Sequence, residues 1–185
     1  MHFKQLPFVF LLLAATVSPP LAGQAWGELF IVRSVPLDDQ FSPDFSFRDL
    51  TDANYGIGLG LSYSVDRVSV GLDTRYVEYK PRIEGLEVRS FRIGPRVDYV
   101  FSETRRFIPY VGLSGAIHQI KAIVGPSLST LERQGNTYVG FGVRAGGVLM
   151  LTEQAALRLG AEYSYLNDFP HLDFTLGFAY DFGDF

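Results

Sequence analysis

Cysteine is absent from this chain, which excludes disulfides, thiolate metal sites, cysteine nucleophiles and the lipidated cysteine of a bacterial lipoprotein. Also missing is any apolar run of the ~20 residues that a membrane-spanning helix requires. Charge is scarce as well: Asp, Glu, Lys and Arg make up 19% of the residues, against about a quarter in a typical soluble protein. The net charge of −4 leaves no basic excess with which to neutralise phosphates, so a nucleic-acid partner is excluded. What remains is a chain that is 47% apolar and 15% aromatic, carries 19 glycines, and at 185 residues has room for one domain. Such a composition implies a surface that partly faces something other than water, presented by strands.

Met1–Lys4 supplies one lysine, and Leu6–Val17 is almost wholly apolar before Ser18-Pro19-Pro20 breaks it. Small residues follow at Ala22, Gly23 and Ala25. This is the pattern of a secretory signal peptide, too short to span as a helix, with cleavage expected after Ala22 or Ala25. Residues 1–25 are therefore set apart from residues 26–185, the expected folded domain.

The mature chain divides into alternating runs of roughly ten residues. The clearest is Tyr55–Val65, where Tyr55, Ile57, Leu59, Leu61 and Tyr63 alternate with Gly56, Gly58, Gly60, Ser62 and Ser64. A tight turn at Asp66-Arg67 leads to a second run with Val68, Val70, Leu72, Thr74 and Tyr76 on one face. Further runs are Phe91–Phe101, Phe107–Lys121, Tyr138–Leu151, Ala155–Leu166 and His171–Phe182. With a first strand around Glu28–Val35, whose parity the sequence does not fix, the count is eight. Even number, short connections at Val65–Arg67, Glu103–Arg106 and Thr152–Gln154, and longer ones between, describe an all-β, eight-stranded, antiparallel, up-and-down transmembrane β-barrel whose longer loops are extracellular. Pro95 falls mid-strand in a sheet without free edges, so a bulge is expected there.

The second face decides between a membrane barrel and a soluble calyx. It is largely glycine and serine with widely spaced ions, suited to the cramped lumen of a small barrel rather than to a solvated surface. The ions assigned inward are Arg75, Arg92, Arg96, Arg144 and Arg158 against Asp73, Asp98, Glu162, Asp173 and Asp181. Equal numbers of each sign favour a plug of ion pairs over a selective pore. Tyr63, Tyr76, Tyr99, Phe101, Phe107, Tyr165 and Tyr180, near strand ends, are expected in the interfacial girdles. No metal site or cofactor is expected. The segment 37–53 carries Asp38, Asp39, Asp44, Asp49 and Asp52 with Phe41, Phe45 and Phe47, against Arg48 alone. Such a loop suits an extracellular ligand, and a plain solvated loop is its simpler reading.

The stretches Arg106-Phe107-Ile108-Pro109-Tyr110-Val111-Gly112-Leu113, Gly140-Phe141-Gly142-Val143-Arg144-Ala145-Gly146-Gly147 and Leu157–Tyr165 resemble the small outer-membrane β-barrel superfamily, which includes the OmpA transmembrane domain, OmpX-type and opacity-type proteins. The resemblance implies a Gram-negative outer membrane, contact with its lipid and lipopolysaccharide, and delivery by periplasmic chaperones to the barrel assembly machinery. It also implies a terminal assembly signal of the form polar-x-Gly-x-x-aromatic-x-aromatic, matched by Thr175, Gly177, Tyr180 and Phe182, with Gly183-Asp184-Phe185 appended so that Phe185 competes for the terminal position. The resemblance carries the fold and says almost nothing of activity, so a structural or surface-interaction role, without enzymatic activity, is the default expectation. Two alternatives stand beside it. One is a lipid A deacylase of the PagL kind, for which His118 and His171 are the available bases although the His-x-Ser pattern is missing. The other is a narrow channel, or a conduit for small apolar molecules with a lateral opening near Pro95.

Overall fold

A computed structural model describes residues 23–37, 54–79, 86–101, 106–124, 135–166 and 170–184. Eight strands follow one another in chain order: β1 (Gln24–Pro36), β2 (Asn54–Val65), β3 (Val68–Tyr79), β4 (Leu86–Val100), β5 (Phe107–Val124), β6 (Gly135–Met150), β7 (Ala155–Tyr165) and β8 (His171–Asp184). Each pairs antiparallel with its sequence neighbours, and β8 returns to β1, closing an up-and-down barrel. Closure satisfies the backbone groups that an edge strand would expose to lipid. The expected signal peptide lies outside the described residues, as do residues 38–53 of the acidic-aromatic loop and Phe185.

The two faces separate as the alternation requires. Leu59, Leu61, Leu113, Val139 and Val143 point outward, and Phe141 is 70% exposed. A continuous apolar belt of this extent is not kept by a soluble monomer. Every girdle aromatic expected from the sequence points outward as well. Edge-to-face pairs of Tyr99 with Phe101 and of Tyr180 with Phe182, both at 5.6 Å, sit at the end where the short turns lie. In the tightest of those turns Asp66 takes φ 50°, a left-handed conformation that Asp tolerates better than most residues, and Val65 pairs with Val68. In the turn from β6 to β7, the Thr152 hydroxyl accepts the N–H groups of Gln154 (3.2 Å) and Ala155 (3.0 Å).

Three sequence expectations are corrected. The strands run further than expected at the loop end, β4 beginning at Leu86 instead of Phe91. β1 spans Gln24–Pro36, longer than Glu28–Val35, and its parity is now fixed with Glu28, Phe30, Val32 and Ser34 inward. Pro95 makes no bulge: Ile93 faces Ile117 and Arg96 faces Ser114 in one unchanged register, and only the two pairs between them drop out of the ladder. There the strands approach instead of parting, since a Cβ placed on Gly94 would lie 1.9 Å from the Gly115 carbonyl oxygen. A lost N–H is thus absorbed by a glycine contact without re-registering the strand. The register shift that is present lies between Gln24 and Trp26 of β1, opposite the end of β8, where Gly183 has φ +86°.

Candidate functional site

Alternation delivers one inward residue in two from each strand, and the charged ones meet in two clusters. The first is built around Glu162 on β7. Its carboxylate accepts from Arg75 Nη2, from Arg92 Nη2 at 2.5 Å, from the Ser114 hydroxyl at 2.5 Å and from the Ser164 hydroxyl at 3.4 Å. Arg75 extends the cluster, donating to Asp173 at 2.8 Å and Asp73 at 3.0 Å, while its guanidinium lies 5.6 Å from the centre of the Phe30 ring. Room for the Glu162 side chain comes from Gly142, where a Cβ would fall 2.6 Å from Oε1.

The second cluster is built around Glu28. Arg96 grips it with both terminal nitrogens, Nη1 donating to Oε2 at 2.9 Å and Nη2 to Oε1. Arg158 donates to the same Oε1 at 2.7 Å and to Asp98 at 2.5 Å, with its guanidinium 4.3 Å from the centre of the Tyr110 ring. Arg144 joins the clusters, with Nη1 3.5 Å from Asp73 and Nε 3.1 Å from Asp98. All ten ionised side chains are at most 12% exposed. Burial of so much charge is tolerated because each ion faces at least one of opposite sign. Between the clusters a gap of about 10 Å³ is left, the room of roughly one water molecule.

Nine of the ten residues expected in the lumen network are thus brought together. Asp181 is the exception: it points inward and is buried, but its carboxylate accepts the Gly183 N–H at 2.9 Å, outside both clusters. Glu28 takes its place, so the network still holds five cations and five anions among the described residues. Sequence reading missed Glu28 because β1 gives conflicting signals, with apolar Phe30 and Val32 inward and Arg33 outward beside Tyr55. The signal that could have found it lies in the neighbouring strands: Phe30 fits the lumen because Gly58 and Gly177 flank it, a Cβ on either coming within 2.6 Å of its side chain.

Toward the loop end the lumen turns apolar. Val32, Val77, Tyr79, Val88, Ile120 and Leu166 pack together inside the barrel, and Tyr138 leans against them. Just beneath, His118 and His171 meet edge to face at 5.5 Å, with His171 Nε2 3.6 Å from Asp173. Ser164, opposite His171 in the register, directs its hydroxyl to Glu162 rather than offering a nucleophile to the imidazole. Among the described residues no group of three His, Asp or Glu side chains is arranged to hold a metal ion.

The barrel is closed and eight-stranded, with an apolar exterior and an ion-paired interior, and the family model of the outer membrane protein beta-barrel domain matches residues 8–182. The chain belongs to this family. Membership implies the outer membrane as its location. Neisserial surface protein A has the same fold at TM-score 0.63 and 17% identity, over 86% of this chain and 97% of that one. Ail, the attachment invasion locus protein of Yersinia pestis, aligns at 0.62 and 15% identity over 87% and 99%. OprG of Pseudomonas aeruginosa aligns at 0.62 and 14% identity over 89% and 97%. At these identities the likeness is one of fold. No curated protein sequence matches the chain.

Proposed function

We propose that this outer-membrane barrel is a non-conducting, non-enzymatic scaffold with a structural or surface-interaction role, its lumen plugged by the ion-pair network and its loops turned outward to meet a ligand. The observation that carries the reading is the double closure of the lumen: two linked ion-pair clusters with about 10 Å³ between them, followed by the apolar layer from Val32 to Leu166. An ion crossing it would have to break buried pairs and then leave water altogether. A surface role also has a parallel in fold, since Ail has been solved in complex with the heparin analogue sucrose octasulfate, at 16% identity and TM-score 0.63 to this chain. Here the ligand would meet segment 37–53, whose acidic and aromatic side chains favour a cationic or apolar-rimmed partner over a sulfated one. Binding of the whole protein to host-cell surfaces, compared with a variant in which residues 38–53 are replaced by a short Gly-Ser linker, tests this: equal binding would count against the loop.

Export through a cleaved signal peptide is part of the same proposal. β1 begins at Gln24 and pairs with Ser64 there, so cleavage after Ala22 leaves the strand whole whereas cleavage after Ala25 trims it. Recognition by the assembly machinery would read β8, and the positive φ of Gly183 gives a reason to assign the signal to Thr175, Gly177, Tyr180 and Phe182 instead of Phe185: the register shifts next to it. Phe182→Ala should therefore lower the amount of folded barrel in the outer membrane severalfold, with Phe185→Ala near the unmodified level. The reverse ranking, read by heat-modifiable gel mobility of membrane fractions, would transfer the signal to Phe185.

A further inference from the structure

The lumen is closed toward the loops but open at the other end. Below the Glu28 cluster a cavity of about 250 Å³ widens toward the short turns. Val100, Ile108, Val148 and Met150 give it an apolar side from β4 to β6, serines of β2 and β3 and Trp26 of β1 line the rest, and Arg158 with its partners Glu28 and Asp98 forms the floor. A cavity of roughly 150 Å³ already accommodates benzene, so this one has room for an aromatic ring and a short polar arm.

We infer that this cavity binds a small organic cation with an apolar body, entering and leaving from the periplasmic side. Charge makes the choice. Arg158 is the one cationic side chain lining the cavity among the described residues, and both its terminal nitrogens are committed, to Glu28 and to Asp98. Asp66 and Glu153 stand exposed in the lining, on the turns that form the mouth. Arg67 and Arg106 belong to the same end of the barrel but do not line the cavity. At the floor, Asp98 is 1% exposed and its Oδ1 has no hydrogen-bond donor; Arg144 Nε stands 3.1 Å away but is not aligned to donate. An ammonium group therefore meets the exposed Asp66 and Glu153 carboxylates, an anion of the same shape is repelled at the mouth, and Trp26 in the lining adds cation–π attraction. The binding end is remote from the loops, so this inference stands or falls independently of their role.

Trp26 is the chain's sole tryptophan and lines the cavity, which makes its emission a reporter of occupancy. The mature protein in uncharged maltoside micelles is titrated with phenethylammonium and, separately, with 3-phenylpropionate, which carries a similar apolar body and the opposite charge. The cation should give a saturable change in Trp26 emission that weakens as salt is raised, and the anion none over the same range. Asp66→Asn combined with Glu153→Gln should weaken the cation's apparent affinity by roughly fivefold. Asn tolerates the left-handed turn position as Asp does, so the double variant should keep its unheated gel mobility. An equal response to the anion, an affinity unchanged in the folded double variant, or no saturable response to the cation would each overturn the proposal.

Discussion

Glu162→Ala should destabilise the barrel by about 3–5 kcal/mol, the usual cost of removing one partner from a buried ion pair. The carboxylate has four donors, and Arg92 depends on it most, because the next anion, Asp173, is 3.9 Å away. Arg75 keeps Asp73 and Asp173 and should suffer less. Urea unfolding of the refolded protein in lipid vesicles, followed by Trp26 emission, reads the loss directly. A second substitution distinguishes charge from packing: Arg92→Met in the Glu162→Ala background removes the stranded cation and should recover part of the stability. A loss below about 1 kcal/mol for Glu162→Ala would mean that the lumen arginines are satisfied by water, and that the network is not the plug described.

Gly94→Val should cost about 3 kcal/mol or prevent closure altogether. The added Cβ would fall 1.9 Å from the Gly115 carbonyl oxygen and 2.6 Å from Ala116 Cα, and backbone in a closed sheet cannot move aside cheaply. Gly115→Ala is the control, because a Cβ there meets nothing within 4 Å. The folded fraction of both variants, read from unheated gel mobility, should fall sharply for the first and stay near the unmodified value for the second. Equal tolerance of the two would mean that β4 and β5 are not held together at Pro95.

Much of this architecture was legible in the sequence because strand alternation is a strict period of two: once Tyr55–Val65 is read, the outward set of β2 follows residue by residue. The same rule placed Arg75, Arg92, Arg96, Arg144 and Arg158 inward. Three features escaped it for identifiable reasons. Glu28 sits on a strand whose inward face includes Phe30, an aromatic that the lumen admits only because glycines from β2 and β8 flank it. Asp181 obeys the alternation, but the turn of Gly183 gives its carboxylate a backbone donor and takes it out of the network. The apolar layer lies where the strands continue past the last recognisable alternation, so Val77, Tyr79 and Val88 read as loop margins when they are lumen. Pro95 shows the limit of a local rule: the missing donor did not force a bulge because a close glycine contact was available on the neighbouring strand. Function was legible only as a class, since alternation assigns each side chain to the inside or the outside of the barrel and does not say what it binds.

The claim on which the functional reading turns is that the lumen is shut. Single-channel recording of the refolded protein in a planar bilayer tests it most directly. The closed lumen should give a flat trace with no stable openings, whereas Glu28→Ala and Glu162→Ala, combined with thinning of the apolar layer by Leu166→Ala, should introduce openings. Well-defined, reproducible openings of the unmodified protein would contradict it.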